Sequence, residues 1–112
     1  MNDSTRAGLY DVQQAIAEIE SFFAGQPLLF AAYQADVRTR RATERNLESI
    51  GEAVGRILKV DPAFQLSNAR QIIATRNRII HGYDTVSDEM VWSIVVRHLP
   101  QLKLEVAALL AV

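Results

Sequence analysis

The chain has 112 residues, the length of one domain, and 49% of them are apolar, which is too many for a disordered protein. It has no apolar run near the roughly 18 residues that a membrane span requires, and its polar first nine residues do not resemble a signal peptide. It has no cysteine, which excludes disulfides and thiolate metal sites and fits a cytoplasmic protein, and two histidines are too few for an ordinary zinc site.

Charge is unevenly distributed along the chain, although the net charge is only −1. Residues 1–36 carry a net −4 and residues 82–112 a net −2. Residues 38–81 carry nine basic residues against four acidic ones, and eight of the nine are Arg, the side chain that binds phosphate with a planar fork. This segment is a candidate nucleic-acid surface, and a set of solvated helix faces explains the same charge about equally well.

Apolar residues with helical spacing predict a first helix over about residues 9–23. They recur at alternating steps of three and four residues, at Leu9, Val12, Ile16, Ile19 and Phe23. Gly25 and Pro27 are expected to end this helix. We expect the following apolar patch, Leu28-Leu29-Phe30, to form one helical turn that covers the edge of the core.

A long second helix is predicted over about residues 35–59, and Asp61-Pro62 should end it. Its apolar stripe consists of Leu47, Ile50, Val54, Ile57 and Leu58. A row of three carboxylates four residues apart shares one face and needs basic partners, with Glu52–Arg56 as one such pair. The row consists of Glu44, Glu48 and Glu52.

Two glycines also lie four residues apart in this helix, Gly51 and Gly55. Each costs about 1 kcal/mol relative to Ala in a helix interior. Two interpretations are open: the glycines allow another helix to approach closely, or they are simply tolerated.

A third helix is predicted over about residues 68–81, with Ser67 as its N-cap and Gly82 as a terminal glycine able to take positive φ. A last helix is predicted over about residues 87–110, capped by Ser87 and kinked at Pro100. No alternating strand pattern appears. The expected fold is therefore all-α, an antiparallel bundle of four to five helices forming a single domain over residues 1–112.

The residues with the clearest chemical potential end the third helix, in the run Arg76-Asn77-Arg78-Ile79-Ile80-His81-Gly82-Tyr83. An Arg and a His together are what metal-free phosphodiester cleavage needs. The His exchanges a proton near neutral pH, and the Arg donates to the charge that develops on a phosphate oxygen. On one regular helix these two side chains would lie about 140° apart, so they cannot form a simple one-face site.

Two arrangements would resolve this mismatch. The helix could end near His81, so that Gly82 turns the His81 ring and Tyr83 back toward Arg76. Alternatively, the site could lie on a dimer axis, where two copies of each residue surround one cleft.

This motif resembles the signature of the HepT-like branch of the HEPN superfamily, whose members include small all-helical ribonuclease toxins. Two further segments strengthen the resemblance. Arg45-Asn46-Leu47-Glu48-Ser49-Ile50-Gly51-Glu52-Ala53 is similar to the second helix of the family, and Val91-Trp92 with Leu99-Pro100 is similar to the last helix. The resemblance covers about residues 7–110.

The resemblance implies a metal-independent ribonuclease that needs no cofactor and dimerises with its motifs at a shared cleft. In this interpretation His81 is the general base or acid, Arg76 stabilises the phosphorane and Asn77 orients His81 or the phosphate. The substrate is RNA, with tRNA as one candidate. The implied partner is an MntA-like nucleotidyltransferase antitoxin that transfers AMP onto Tyr83, as in a type VII toxin–antitoxin pair.

Three arginines at i, i+3 and i+7 share one face of the second helix and are candidate RNA contacts, as is Arg78. They are Arg38, Arg41 and Arg45, and a solvated face is an equally good explanation of them. Tyr10, Tyr33 and Trp92 are expected to be packing or surface residues, and His98 to be solvated.

Two rival functions remain open at this point. In the first, the chain is a non-catalytic nucleotide-binding or regulatory subunit of a nucleotidyltransferase, and Arg76 and His81 bind nucleotide without cleaving it. In the second, it is a purely structural helical dimer, which leaves the motif without a purpose.

Overall fold

A computed structural model describes residues 1–111, and within them the regular structure is entirely helical, as the sequence predicted. The α-helices are α1 (Asp3–Phe22), α2 (Phe30–Ala35), α3 (Val37–Val60), α4 (Ala69–His81), α5 (Asp88–Ser93) and α6 (Leu99–Leu110). A 3₁₀ turn at Tyr83–Thr85 links α4 to α5, and a π-helical turn at Ile94–His98 joins α5 to α6.

The long helices begin where polar side chains cap them. The side chain of Asn2 accepts a hydrogen bond from the Thr5 N–H at 2.7 Å, so α1 begins six residues before the first residue of the predicted helix. Asp36 accepts from the Thr39 N–H at 3.1 Å and starts α3. Helix α3 ends at Val60, directly before the Asp61-Pro62 pair that the sequence marked as its end.

Helix α3 is central, with α1 packed on one side and α4 on the other. Both neighbours run antiparallel to it. Arg56 near the end of α3 bonds Asp11 in the first half of α1 at 2.9 Å, whereas Asn46, earlier in α3, bonds the Ala15 carbonyl farther along α1 at 3.1 Å. The partner of Arg56 is therefore Asp11, and the predicted Glu52–Arg56 pair is wrong.

The core lies between α1, α3 and the last helices, and it is closed at one end by aromatic side chains. Tyr33 of α2 is buried, and its ring centroid lies 5.2 Å from that of Trp92, which confirms both as packing residues. Phe23 and Phe30 lie against Trp92 at 5.9 and 6.0 Å. The predicted turn of Leu28-Leu29-Phe30 is wrong, since α2 begins only at Phe30 and the two leucines are exposed.

Of two local predictions around α4, the cap is wrong and the terminal glycine is confirmed in position. Ser67 does not cap this helix: its N–H and hydroxyl bond the carboxylate of Glu105 on α6, and Asn68 precedes the helix in the left-handed region with φ 61°. Gly82 follows the helix directly, as predicted, and with φ −144° it does not use the positive φ open to glycine. The glycine that does is Gly25, with φ 74°.

The last helix begins as predicted, because the Ser87 hydroxyl accepts a hydrogen bond from the Met90 N–H at 3.1 Å. Its interruption precedes Pro100, in the π-helical turn that leads into α6. Proline has no N–H to donate to the carbonyl four residues earlier, and the wider π-helical turn accommodates the loss of that hydrogen bond. Among the helices described, none combines the length and the hydropathy that crossing a bilayer needs.

Candidate active site

The motif residues occupy the last turns of α4 and the turn that follows. Helix α4 continues through His81, and the Gly82 N–H still donates to the Arg78 carbonyl at 2.9 Å. Because the helix stays regular, Arg76 and His81 keep their separation of about 140° around its axis. Within one chain they therefore do not point to a common centre.

Arg76 lies at a close approach between α3 and α4. A Cβ atom added to Gly51 would lie 2.3 Å from the Cβ of Arg76 and 3.1 Å from the Ile72 carbonyl oxygen, so a hydrogen at position 51 lets the helices meet. At Gly55 an added Cβ would meet nothing within 4 Å. The close-approach interpretation thus holds for Gly51, and the tolerated-glycine interpretation holds for Gly55.

The guanidinium of Arg76 is oriented by its neighbour in sequence. Its Nη1 donates to Asn77 Oδ1 at 3.1 Å, while its Nε is buried and has no hydrogen-bond partner within residues 1–111. Arg76 and Asn77 line a groove of about 210 Å³ between α3 and α4. His81 is exposed at the end of α4, accessible to a substrate or to a second molecule.

Tyr83 turns away from Arg76 and reaches α3. Its hydroxyl donates to Glu44 Oε1 at 2.7 Å and accepts from Nη1 of Arg41, which also lies 3.2 Å from Glu44 Oε1. The Arg41 guanidinium carbon is 5.3 Å from the centre of the Tyr83 ring. The arrangement in which Gly82 directs Tyr83 back toward Arg76 is therefore wrong.

Glu44 is the site residue that the sequence did not identify. Its side chain is 7% exposed, although it carries a carboxylate in a helix with many solvated charges. The one indication of Glu44 in the sequence was the row of three carboxylates on α3, because such a row requires basic partners. Arg41 is such a partner of Glu44. No pattern in the sequence indicates that Tyr83, 39 residues later, lies beside it.

The surroundings of Tyr83 favour its neutral form. Partial desolvation, the hydrogen bond to Glu44 and the negative charge of Glu44 raise the pKa of the Tyr83 hydroxyl, and Arg41 and Arg40 partly oppose that rise. Burial also raises the pKa of Tyr33. Arg40 lies 3.6 Å from Asp88, so α3 and α5 are bridged beside this cluster.

The candidate RNA contacts fall on two surfaces. Arg38, Arg41 and Arg45 are all exposed on α3, and Arg41 joins that face to Tyr83. Arg78 lies elsewhere, with Nη1 3.4 Å from the Met90 sulfur, in a cleft that it shares with His98. His98 is half-buried, and its Nδ1 has no partner within residues 1–111, so the prediction of a solvated His98 is wrong.

No cluster of three or more His, Cys, Asp or Glu side chains suited to a metal ion occurs in the part of the chain that the structure describes.

Comparison with known proteins identifies a family that this chain matches. Residues 12–109 match the family model described as "Ribonuclease HepT-like". A protein of Methanocaldococcus jannaschii named as a candidate RNase is 30% identical over 100 residues, covering 85% of this chain and 78% of that protein. A protein of Thermococcus cleftensis, assigned by name as a ribonuclease HepT, is 31% identical over 107 residues, covering 92% of this chain and 93% of that protein. No solved structure matches the chain significantly.

Proposed function

The chain belongs to the HepT-like ribonuclease family, and from that premise we propose that it is a metal-independent ribonuclease toxin whose Arg76 and His81 carry the chemistry. The observation that supports these two residues is their setting on α4. Gly51 seats Arg76 tightly between two helices, Asn77 bonds its guanidinium, and His81 stands exposed one and a half turns away. A fixed Arg and an accessible His are the parts that such a reaction requires.

The proposed reaction is attack of a ribose 2′-OH on the adjacent phosphorus. His81 takes the 2′ proton as the new O–P bond forms, and the bond to the 5′ oxygen breaks to leave a 2′,3′-cyclic phosphate. His81 of a second copy gives a proton to the departing 5′ oxygen, so the chain acts as a homodimer. Arg76 donates to the phosphorane oxygens, and Asn77 keeps it oriented.

The arginines of α3 are proposed to guide the RNA to this cleft. Arg38, Arg41 and Arg45 are exposed and evenly spaced along one helix face, a pattern that suits contacts with successive phosphates. Arg78 would contact RNA from the other side of α4. tRNA is one candidate substrate for this surface.

The test of the cleavage is purified chain incubated with total RNA in the presence of a chelator. We expect fragments with 2′,3′-cyclic phosphate ends, and a rate that falls by about 10²–10⁴-fold in His81→Ala. Arg76→Lys should fail similarly, because Lys lacks the planar fork that donates two parallel hydrogen bonds. Arg70→Ala, an exposed change in the first turn of α4, is the matched control. Undiminished cleavage by a folded His81→Ala chain contradicts the assignment.

We further propose that Tyr83 is the control point of this toxin, in a type VII toxin–antitoxin pair with an MntA-like nucleotidyltransferase. Tyr83 is 44% exposed on the turn after α4, where a partner enzyme can reach it. Transfer of AMP to its hydroxyl would place phosphate beside Arg41 and compete with RNA for the basic face.

Incubation with an MntA-like nucleotidyltransferase and ATP should add one or more AMP units to the chain, read by intact mass. Tyr83→Phe should abolish the mass gain and escape neutralisation, whereas Tyr10→Phe and Tyr33→Phe should not. A modified chain that still cleaves RNA at the original rate would refute this control.

One observation favours a second function, a non-catalytic nucleotide-binding subunit. Within one chain Arg76 and His81 do not converge, so a monomer could hold a nucleotide in the groove beside Arg76 without cleaving RNA. Saturable binding of AMP or ATP by a chain that leaves RNA intact would favour this function over the first.

A further inference from the structure

Glu44 is a buried carboxylate for which the proposed cleavage has no use. It is 6% exposed, and a charge removed from water is costly unless it is paired and hydrogen-bonded. Its two contacts are the Tyr83 hydroxyl at 2.7 Å and Arg41 Nη1 at 3.2 Å. Both partners reach the surface, so the buried oxygen lies directly beneath an accessible phenol.

We propose that Glu44 is the proton acceptor for Tyr83 when that hydroxyl attacks a nucleoside triphosphate, an inference that rests on the proposed nucleotide transfer to Tyr83. The Tyr83 O–H bond breaks and its proton passes to Glu44 Oε1. A bond forms between Tyr83 Oη and the α-phosphorus, and the bond from that phosphorus to the bridging oxygen breaks, releasing pyrophosphate. Glu44 then returns the proton to solvent.

Both the distance between the Tyr83 hydroxyl and Glu44 and the weak acidity of a phenol favour a general base here. A phenol with a pKa near 10 is almost wholly protonated at neutral pH, and the surroundings of Tyr83 raise its pKa further. A hydroxyl in this state becomes a good nucleophile when an adjacent group takes its proton as the new bond forms. The observed 2.7 Å lies within the roughly 2.6–3.2 Å over which a general base acts.

The other charged and titratable groups nearby leave Glu44 as the acceptor. From α5, Asp88 faces Arg40 at 3.6 Å, and from α2, Tyr33 contributes a buried hydroxyl. Arg41 is positively charged and half-exposed, so it cannot take the proton, but its free N–H groups can donate to an incoming phosphate. Within residues 1–111, Glu44 is the carboxylate that contacts the Tyr83 hydroxyl.

The experiment measures the rate of AMP addition by intact mass, with ATP and an MntA-like nucleotidyltransferase. We expect Glu44→Gln to be modified roughly 100-fold more slowly, because the amide still accepts the hydrogen bond but cannot take the proton. Glu48→Gln is the matched control, since it removes a carboxylate of the same row one turn farther along α3. Its rate should equal that of the unaltered chain.

The pH profile separates a base from a merely structural contact. The rate for the unaltered chain should change little from about pH 7 to 8.5, whereas for Glu44→Gln it should rise by up to about tenfold per pH unit, because hydroxide must then supply the phenolate. Loss of a structural contact would instead lower the rate equally at every pH. Glu44→Asp, which keeps a carboxylate set farther back, should be slow with a flat profile.

Two outcomes would overturn the inference. One is a folded Glu44→Gln chain, checked by circular dichroism, that is modified within about threefold of the normal rate. The other is a tenfold rise per pH unit in the rate of AMP addition to the unaltered chain. This measurement does not depend on the folding of any variant. If the unaltered chain gains no mass, or Tyr83→Phe gains as much, the proposed control of the toxin fails instead.

Discussion

Gly51 is the residue at which the smallest change should disturb the site. A methyl group there would collide with the Cβ of Arg76 and approach the Ile72 carbonyl, and both atoms are fixed to α4. Neither can move aside by a side-chain rotation, so the two helices must separate.

We predict that Gly51→Ala destabilises the chain and slows RNA cleavage. An overpacking cost of about 1–3 kcal/mol should exceed the gain of about 1 kcal/mol that Ala brings to a helix. Gly55→Ala, at a position open to solvent, should instead stabilise the chain by up to about that gain. Urea unfolding of the two variants checks this, and a Gly51→Ala chain as stable as Gly55→Ala would contradict it.

The buried hydroxyl of Tyr33 should make the stability of the fold depend on pH. Its hydroxyl is buried with no hydrogen-bond partner in the described part of the chain, and burial raises its pKa. Above about pH 10 an unfolded chain releases this proton while the folded chain keeps it. Unfolding is then coupled to proton release, so the free energy of unfolding must fall as the pH rises.

The predicted size of this effect is up to about 1.4 kcal/mol lost per pH unit above pH 10. Tyr33→Phe should be near neutral or stabilising at pH 7, because it removes an unpaired buried hydroxyl, and it should flatten the alkaline loss. Urea midpoints at pH 9, 10 and 11 measure both effects, with the exposed Tyr10→Phe as control. An unchanged alkaline slope in Tyr33→Phe would show that other groups cause it.

For the helices, the sequence predicted best those features that depend on residues close together in the chain. The stripes of α1 and α3 follow from apolar residues at steps of three and four. All of those residues are buried except Phe23 and Leu58, which are partly buried against the core. Caps that bond a residue three positions later, as Ser87 does, are also local. Such patterns identify a buried face without identifying the neighbour that covers it.

Prediction of the site would have required knowledge of contacts between residues that lie far apart in the sequence. Tyr83 meets Glu44 because α4 runs antiparallel to α3 at a distance set by Gly51, and no spacing within either helix encodes that register. Ser67 failed as a cap for the same reason. A partner on α6 competes for its hydroxyl, and serine suits either role equally well.

Ser67 and Glu105 should therefore be energetically coupled. We predict that the free-energy costs of Ser67→Ala and Glu105→Ala are not additive, with a coupling of about 0.5–3 kcal/mol in a double-mutant cycle by urea unfolding. If Ser67 acted as a cap of α4 alone, the two costs would simply add. Ser87→Ala, which removes a cap observed in the structure, should cost about 1 kcal/mol whether or not Glu105 is present.

At the scale of the whole molecule, the divergence of Arg76 and His81 makes a second copy necessary for the proposed chemistry. We predict a homodimer in which the two copies of residues 76–83 face one cleft. Light scattering at micromolar concentration should give twice the mass of the chain, and a monomer would count against the prediction.

Two exposed apolar residues offer a test of where the predicted interface lies. Ile80 is 39% exposed beside His81, whereas Leu104 is 72% exposed on α6. Ile80→Glu should weaken the dimer and lower cleavage together, because a buried charge opposes association at the cleft. Leu104→Glu is the control, and a dimer broken only by Leu104→Glu would place the interface on α6 instead.

The aromatic end of the core also makes the molecule its own optical probe. Trp92 is the single tryptophan, and it lies on α5 against Phe23, which follows α1, and against side chains of the six-residue α2. Its emission therefore depends on whether α2 is docked, while far-ultraviolet dichroism is dominated by the long helices. Comparing the two signals along one urea titration distinguishes a bundle that melts as a unit from one whose short helix detaches first.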